Sequence, residues 1–96
     1  MKQIASKTFV SQLISETSYH VSELGKHKST MYLYFDENNC RGLIEWDIPP
    51  LQTVVEIGLS FEDDCKNLQD YDGVFSLPKE AIELLEENGF NADYAK

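Results

Sequence analysis

The chain has 96 residues, with 17 acidic side chains against 8 basic ones, for a formal net charge of −9 at pH 7. Hydrophobic residues at 42% and charged residues at 26% fit one folded domain over residues 1–96 and exclude a collagen-like or an extended disordered chain. The anionic excess argues against direct binding of DNA or RNA, whose phosphates call for surplus Lys and Arg.

The first segment reads as a helix from about residue 8 to 17. Val10, Leu13, Ile14, Thr17, Val21 and Leu24 recur at spacings of three and four, which draws one stripe down a helix. Ser6 or Thr8 could cap its start and Gly25 could end it. Residues 18–24 are left open between helix and strand, because Ser, Thr and Val are mediocre helix formers. Thr30 to Phe35 is β-branched and aromatic and predicts a strand, with Met31, Leu33 and Phe35 on one face and Thr30, Tyr32 and Tyr34 on the other. Asp36 to Asn39 predicts a turn, and Arg41 to Ile48 the returning strand, with Ile44, Trp46 and Ile48 on one face. After Pro49-Pro50, Val54 to Glu62 alternates, placing Val55, Ile57, Leu59 and Phe61 inward. A turn over Glu62–Asn67 leads to a short strand near Leu68 to Asp72. Leu77 to Asn88 predicts a helix with Ala81, Ile82, Leu84 and Leu85 buried, Gly89 as its left-handed stop and Phe90 folded back onto it. The resulting expectation is an α+β fold. It has a small antiparallel meander of three to four strands, an N-terminal helix and a C-terminal helix, arranged as a two-layer sandwich.

Chemistry-bearing patterns are sparse. Asp36, Asn38, Cys40 and Asp47 stand at positions 1, 3, 5 and 12 of a possible calcium loop, but Arg41 occupies the position that needs glycine and Cys40 is a poor calcium ligand. His20 and His27 stand seven apart without the close His/Cys pairing of a zinc site. Arg41 beside Cys40 could activate its thiol, which leaves a small enzyme using Cys40 as a third reading, but no local signature surrounds Cys40 or Cys65 and both are expected as free thiols of a cytoplasmic protein. No apolar run approaches a membrane span or a leader peptide. No cofactor, metal or catalytic residue is therefore expected, and the chain reads as non-enzymatic.

Charge is unevenly placed. Residues 1–41 carry five basic and four acidic side chains, whereas residues 42–96 carry three basic and thirteen acidic, a local net of −10. Glu45, Asp47, Glu56 and Glu62 fall on strand positions opposite the core stripe, and Asp63, Asp64, Asp70 and Asp72 at the adjoining turns. On a meander these gather on one side and rim of the sheet, where they would attract a basic protein partner. Trp46, Tyr32 or Tyr34 would anchor such a partner if exposed. The expected role is that of an immunity protein, an inhibitor or a nucleic-acid mimic. The alternative is a small homodimer whose apolar sheet face, with Tyr32, Tyr34, Leu43 and Val54, forms an interface or ligand pocket. In a third arrangement the two tyrosines lie under the N-terminal helix.

Overall fold

The computed structural model describes residues 1–12, 26–49, 52–72 and 77–96. Five antiparallel strands lie in the order of the chain: β1 (Lys2–Gln12), β2 (Lys26–Asp36), β3 (Arg41–Ile48), β4 (Thr53–Phe61) and β5 (Leu68–Tyr71). Helix α1 (Lys79–Glu87) and a 3-10 turn (Asp93–Ala95) follow.

This corrects the two-helix sandwich. The described part of the expected N-terminal helix, residues 8–12, is the end of an edge strand paired with β2 from Lys2↔Phe35 to Gln12↔Lys26. Two physical reasons favour the strand. Thr8, Phe9 and Val10 lose side-chain freedom in a helix and gain cross-strand partners in a sheet; the Thr8 and Thr30 hydroxyls meet at 3.0 Å. The alternation is also hidden in the sequence, because a bulge at Ile4 shifts the register between Gln3 and Ala5. Residues 13–17, the open stretch 18–24 and the expected stop at Gly25 lie outside the described residues.

One face of the sheet builds the core. Met31, Leu33, Ile44, Ile57 and Leu84 are almost wholly buried, joined by Trp46, Ile48, Leu59, Phe61 and Leu68. β3 shows why: its burial alternates along the strand, so each even residue from Gly42 to Ile48 is buried. Helix α1 lies against β1 and β2 and contributes Ala81, Leu84 and Leu85. It starts two residues later and ends one residue earlier than the expected Leu77 to Asn88, with Pro78 in the capping position. At its end Gly89 takes φ +87°, the Phe90 amide donates to the Leu85 carbonyl at 3.0 Å, and the Gly89 amide donates to Glu86 at 3.1 Å. This left-handed stop turns Phe90 into the core against Phe61 and Phe35, with ring centroids 4.8 and 5.0 Å away.

The β2–β3 and β4–β5 turns share one end of the meander and one device. Asp36 accepts from the Asn38 amide at 3.0 Å and the Asn39 side chain at 2.7 Å. Asp64 accepts from the Lys66 amide at 2.8 Å and the Asn67 side chain at 2.7 Å. Each turn carries one cysteine, and Cys40 and Cys65 form a disulfide with Cα atoms 4.8 Å apart. The two free thiols expected from the sequence are thus a bridge between neighbouring turns. Among the described residues no helix is long and apolar enough to cross a membrane.

Candidate functional site

The sheet face opposite the core is a grid whose rows follow from the strand registers. From the disulfide end, one row runs Asp36, Arg41, Ser60, Asp70, and the next pairs Tyr34, Leu43 and Gly58. The Asp72 amide donates to the Gly58 carbonyl at 2.8 Å, which extends that second row onto the chain after β5. A third row is Ser6, Tyr32, Glu45, Glu56, and a fourth is Thr8, Thr30, Asp47, Val54. Strands lie about 4.8 Å apart and alternate residues about 6.8 Å apart along each strand. Asp70, Asp72, Glu56, Glu45 and Asp47 therefore trace an arc across three adjacent strands. Gly58 leaves room inside that arc: a Cβ there would meet the Asp72 carboxylate at 2.9 Å.

The arc includes a direct like-charge pair. Glu45 and Glu56 are register partners across β3 and β4, an arrangement that costs a sheet about 0.2–1 kcal/mol. Within the described residues no lysine or arginine forms an ion pair with any of the five carboxylates of the arc. Three basic side chains pair with carboxylates of the helix and C-terminus instead. Lys7 reaches Glu87 at 2.8 Å and Glu83 at 3.4 Å, Lys79 pairs with Glu83, and Lys96 with Glu86 and Asp93. Those pairs hold the Lys7 and Lys96 ammonium groups above their ordinary pKa, in each case chiefly through the glutamate hydrogen bond.

Tyr32 and Tyr34 are half-buried on this same face, and the described part of the helix expected to cover them, residues 8–12, is strand. Partial burial raises the Tyr34 phenol pKa, and the Glu45 carboxylate adds to it; the phenol donates to Glu45 at 3.4 Å. Leu43 shares the face half-buried, and Val54 is 50% exposed. Trp46, in contrast, faces the core and is only 7% exposed, so it cannot anchor a partner on the open face. Its parity with Ile44 and Ile48 already set it on the inner side of β3.

Glu62, Asp63 and Asp64 sit apart from the arc, exposed on the β4–β5 turn. The disulfide brings this turn beside the β2–β3 turn, so Asp36 and Glu37 join the acidic rim. Hydrogen bonds hold the Asp36 and Asp64 carboxyl pKa values below the usual range, chiefly the Asn39 side chain for Asp36 and the Lys66 amide for Asp64. Reading the surplus charge only in the second half of the chain missed Asp36 and Glu37. The meander itself was the available signal, since it sends alternate turns to the same end. Among the described residues no group of His, Cys, Asp and Glu side chains has the arrangement to hold a metal ion.

No family model, curated protein or solved structure matches the chain.

Proposed function

We propose that the protein is a non-enzymatic binding module whose carboxylate-lined sheet face captures a basic protein partner, in the manner of an immunity protein, an inhibitor or a nucleic-acid mimic. The observation that supports this most is the placement of Glu45 opposite Glu56, with Asp47, Asp70 and Asp72 on the same face. Lys7, Lys79 and Lys96 pair with carboxylates of the helix and C-terminus, and among the described residues no cation pairs with the carboxylates of the arc. A concentrated anionic surface accelerates encounter with a cationic one and rejects partners of like charge. Tyr32, Tyr34 and Leu43 supply apolar contact within the arc, as interface aromatics do. Glu62, Asp63 and Asp64 extend the attraction along the rim.

The homodimer reading has less support. A symmetric dimer buries the same patch on both copies, which would set two anionic arcs against each other. A cytoplasmic location remains part of the proposal on the condition that the Cys40–Cys65 bridge is reversible, because lasting disulfides are rare there.

Affinity capture from the native host tests the reading with three baits: the wild type, Glu45→Lys with Asp47→Lys, and Glu80→Lys with Glu86→Lys on the helix. The two variants carry the same net charge. A basic protein held by the wild type and the helix variant, released by salt and lost from the sheet-face variant, is the expected result. Equal loss from both variants would refute a specific face.

A further inference from the structure

We propose that the Cys40–Cys65 bridge is a thiol–disulfide exchange site, open to neutral and cationic thiols and guarded by its ring of carboxylates against anionic ones. This inference goes beyond the partner-binding reading and does not depend on it.

Three observations carry it. First, the bridge stands on two turns at one end of the sheet, where both cysteines are only half-buried and Cys40 packs against the margin of the core. Second, both cysteines hold left-handed backbone, φ 50° at Cys40 and 57° at Cys65. A non-glycine residue there is strained, so each end of the bridge is anchored on a strained backbone position. Exposed and strained disulfides are the labile ones. Third, the surroundings are anionic. The Cys40 sulfur lies 3.8 Å from the Asp63 carbonyl oxygen, and the Cys65 sulfur 3.5 Å from that of Glu37. Asp36, Glu37, Glu62, Asp63 and Asp64 stand on the two turns, against Arg41 and Lys66, a local net of −3 (five acidic less two basic). The bridge holds these like charges together.

The exchange balances as follows. A thiolate of an external monothiol or dithiol attacks one bridge sulfur. The Cys40–Cys65 bond breaks, a mixed disulfide forms, and the released cysteine sulfur takes up a proton. A second thiolate, from the same dithiol or from another monothiol molecule, then attacks the mixed disulfide. A dithiol leaves as its cyclic disulfide, two monothiol molecules as the linear disulfide of the pair, and the second cysteine is protonated. Two electrons and two protons pass from the reagent to the protein. Because the attacking species is an anion, the carboxylate ring slows it, and a compensating positive charge on the thiol relieves that repulsion.

The test measures second-order rates of bridge opening per thiolate for cysteamine, β-mercaptoethanol and mercaptoethanesulfonate, using the intact chain. As thiolates these carry net charges of about 0, −1 and −2 at neutral pH, set by an ammonium or sulfonate group. At about 10 mM ionic strength the rate should fall by about tenfold or more from the first to the last, and by less than about threefold at 1 M. The variant Glu37→Gln, Glu62→Gln, Asp63→Asn should narrow the low-salt range by at least half on a logarithmic scale. It leaves the turn-holding Asp36 and Asp64 in place, and the salt series on the wild type needs no variant at all. Rates equal within twofold for the three thiols at low salt would overturn the guard. A bridge that dithiothreitol leaves closed for hours in the folded protein would overturn the exchange site itself and mark a purely structural bond.

Discussion

Replacing Cys40 and Cys65 together by serine removes the tie between two turns separated by 25 residues of chain. The cross-link restricts the unfolded ensemble, and for a loop of this length the loop-closure relation gives about 3.5 kcal/mol at 25 °C. Bridges commonly deliver somewhat less than the loop-closure value, so about 3 kcal/mol is expected. A domain of this size has a stability on the order of 5–10 kcal/mol, so the variant should fold but melt about 12–24 °C lower. The assay is thermal and urea unfolding of the oxidised wild type, the reduced wild type and C40S/C65S, followed by circular dichroism. The two unbridged forms should coincide, since both lose the same constraint and keep the same core. A loss under about 1 kcal/mol would refute the loop-closure reasoning. Divergence of the two unbridged forms would show that the cysteine side chains contribute by packing.

Three further outcomes follow from the charge layout. Glu56→Gln should stabilise the fold by about 0.2–1 kcal/mol at low salt by removing the like charge opposite Glu45, and the gain should shrink in high salt in a urea titration. Tyr34 has its phenol pKa raised by partial burial and by Glu45. The unfolded chain therefore releases that proton first, and stability present below about pH 10 is lost as pH rises through the higher folded value; in Glu45→Gln the phenol should titrate earlier by NMR and the alkaline loss should be shallower. Asp36 and Asp64 are held below the usual carboxylate range, so their contribution is full above about pH 4 and is lost as pH falls through the folded values. Stability measured below pH 4 should therefore decline less steeply in Asp36→Asn with Asp64→Asn than in the wild type.

The sequence made the middle of this fold plain and hid its ends. β3 is bounded where its sequence places it, because Ile44, Trp46 and Ile48 alternate with Leu43, Glu45 and Asp47 without interruption. The stop at Gly89 and the return of Phe90 were equally local, needing only a left-handed glycine after an apolar stripe. β1 was not local. Its core-facing residues are Ala5, Lys7 and Phe9, of which one is small and one charged, and Lys7 makes sense only once Glu83 and Glu87 of the distant helix are in view. The three- and four-residue spacing of Val10, Leu13 and Ile14 then outweighed an alternation broken at Ile4. The disulfide is not legible in the cysteine count, because only the meander brings Cys40 and Cys65 to the same end. On the open face, strand parity foretold the company of Glu45, Asp47 and Glu56, and the same parity put Trp46 inside.

The central claim is that the anionic arc on the sheet, not the overall charge, captures the partner. Its most direct measurement is the association rate constant of the captured basic protein across a range of ionic strength, for the wild type and for both Lys-substituted pairs. The account predicts that Glu45→Lys with Asp47→Lys slows association at least about tenfold at low salt and flattens its salt dependence, while Glu80→Lys with Glu86→Lys stays within about threefold of the wild type. Equal slowing by the two pairs, or no slowing by the first, would contradict it.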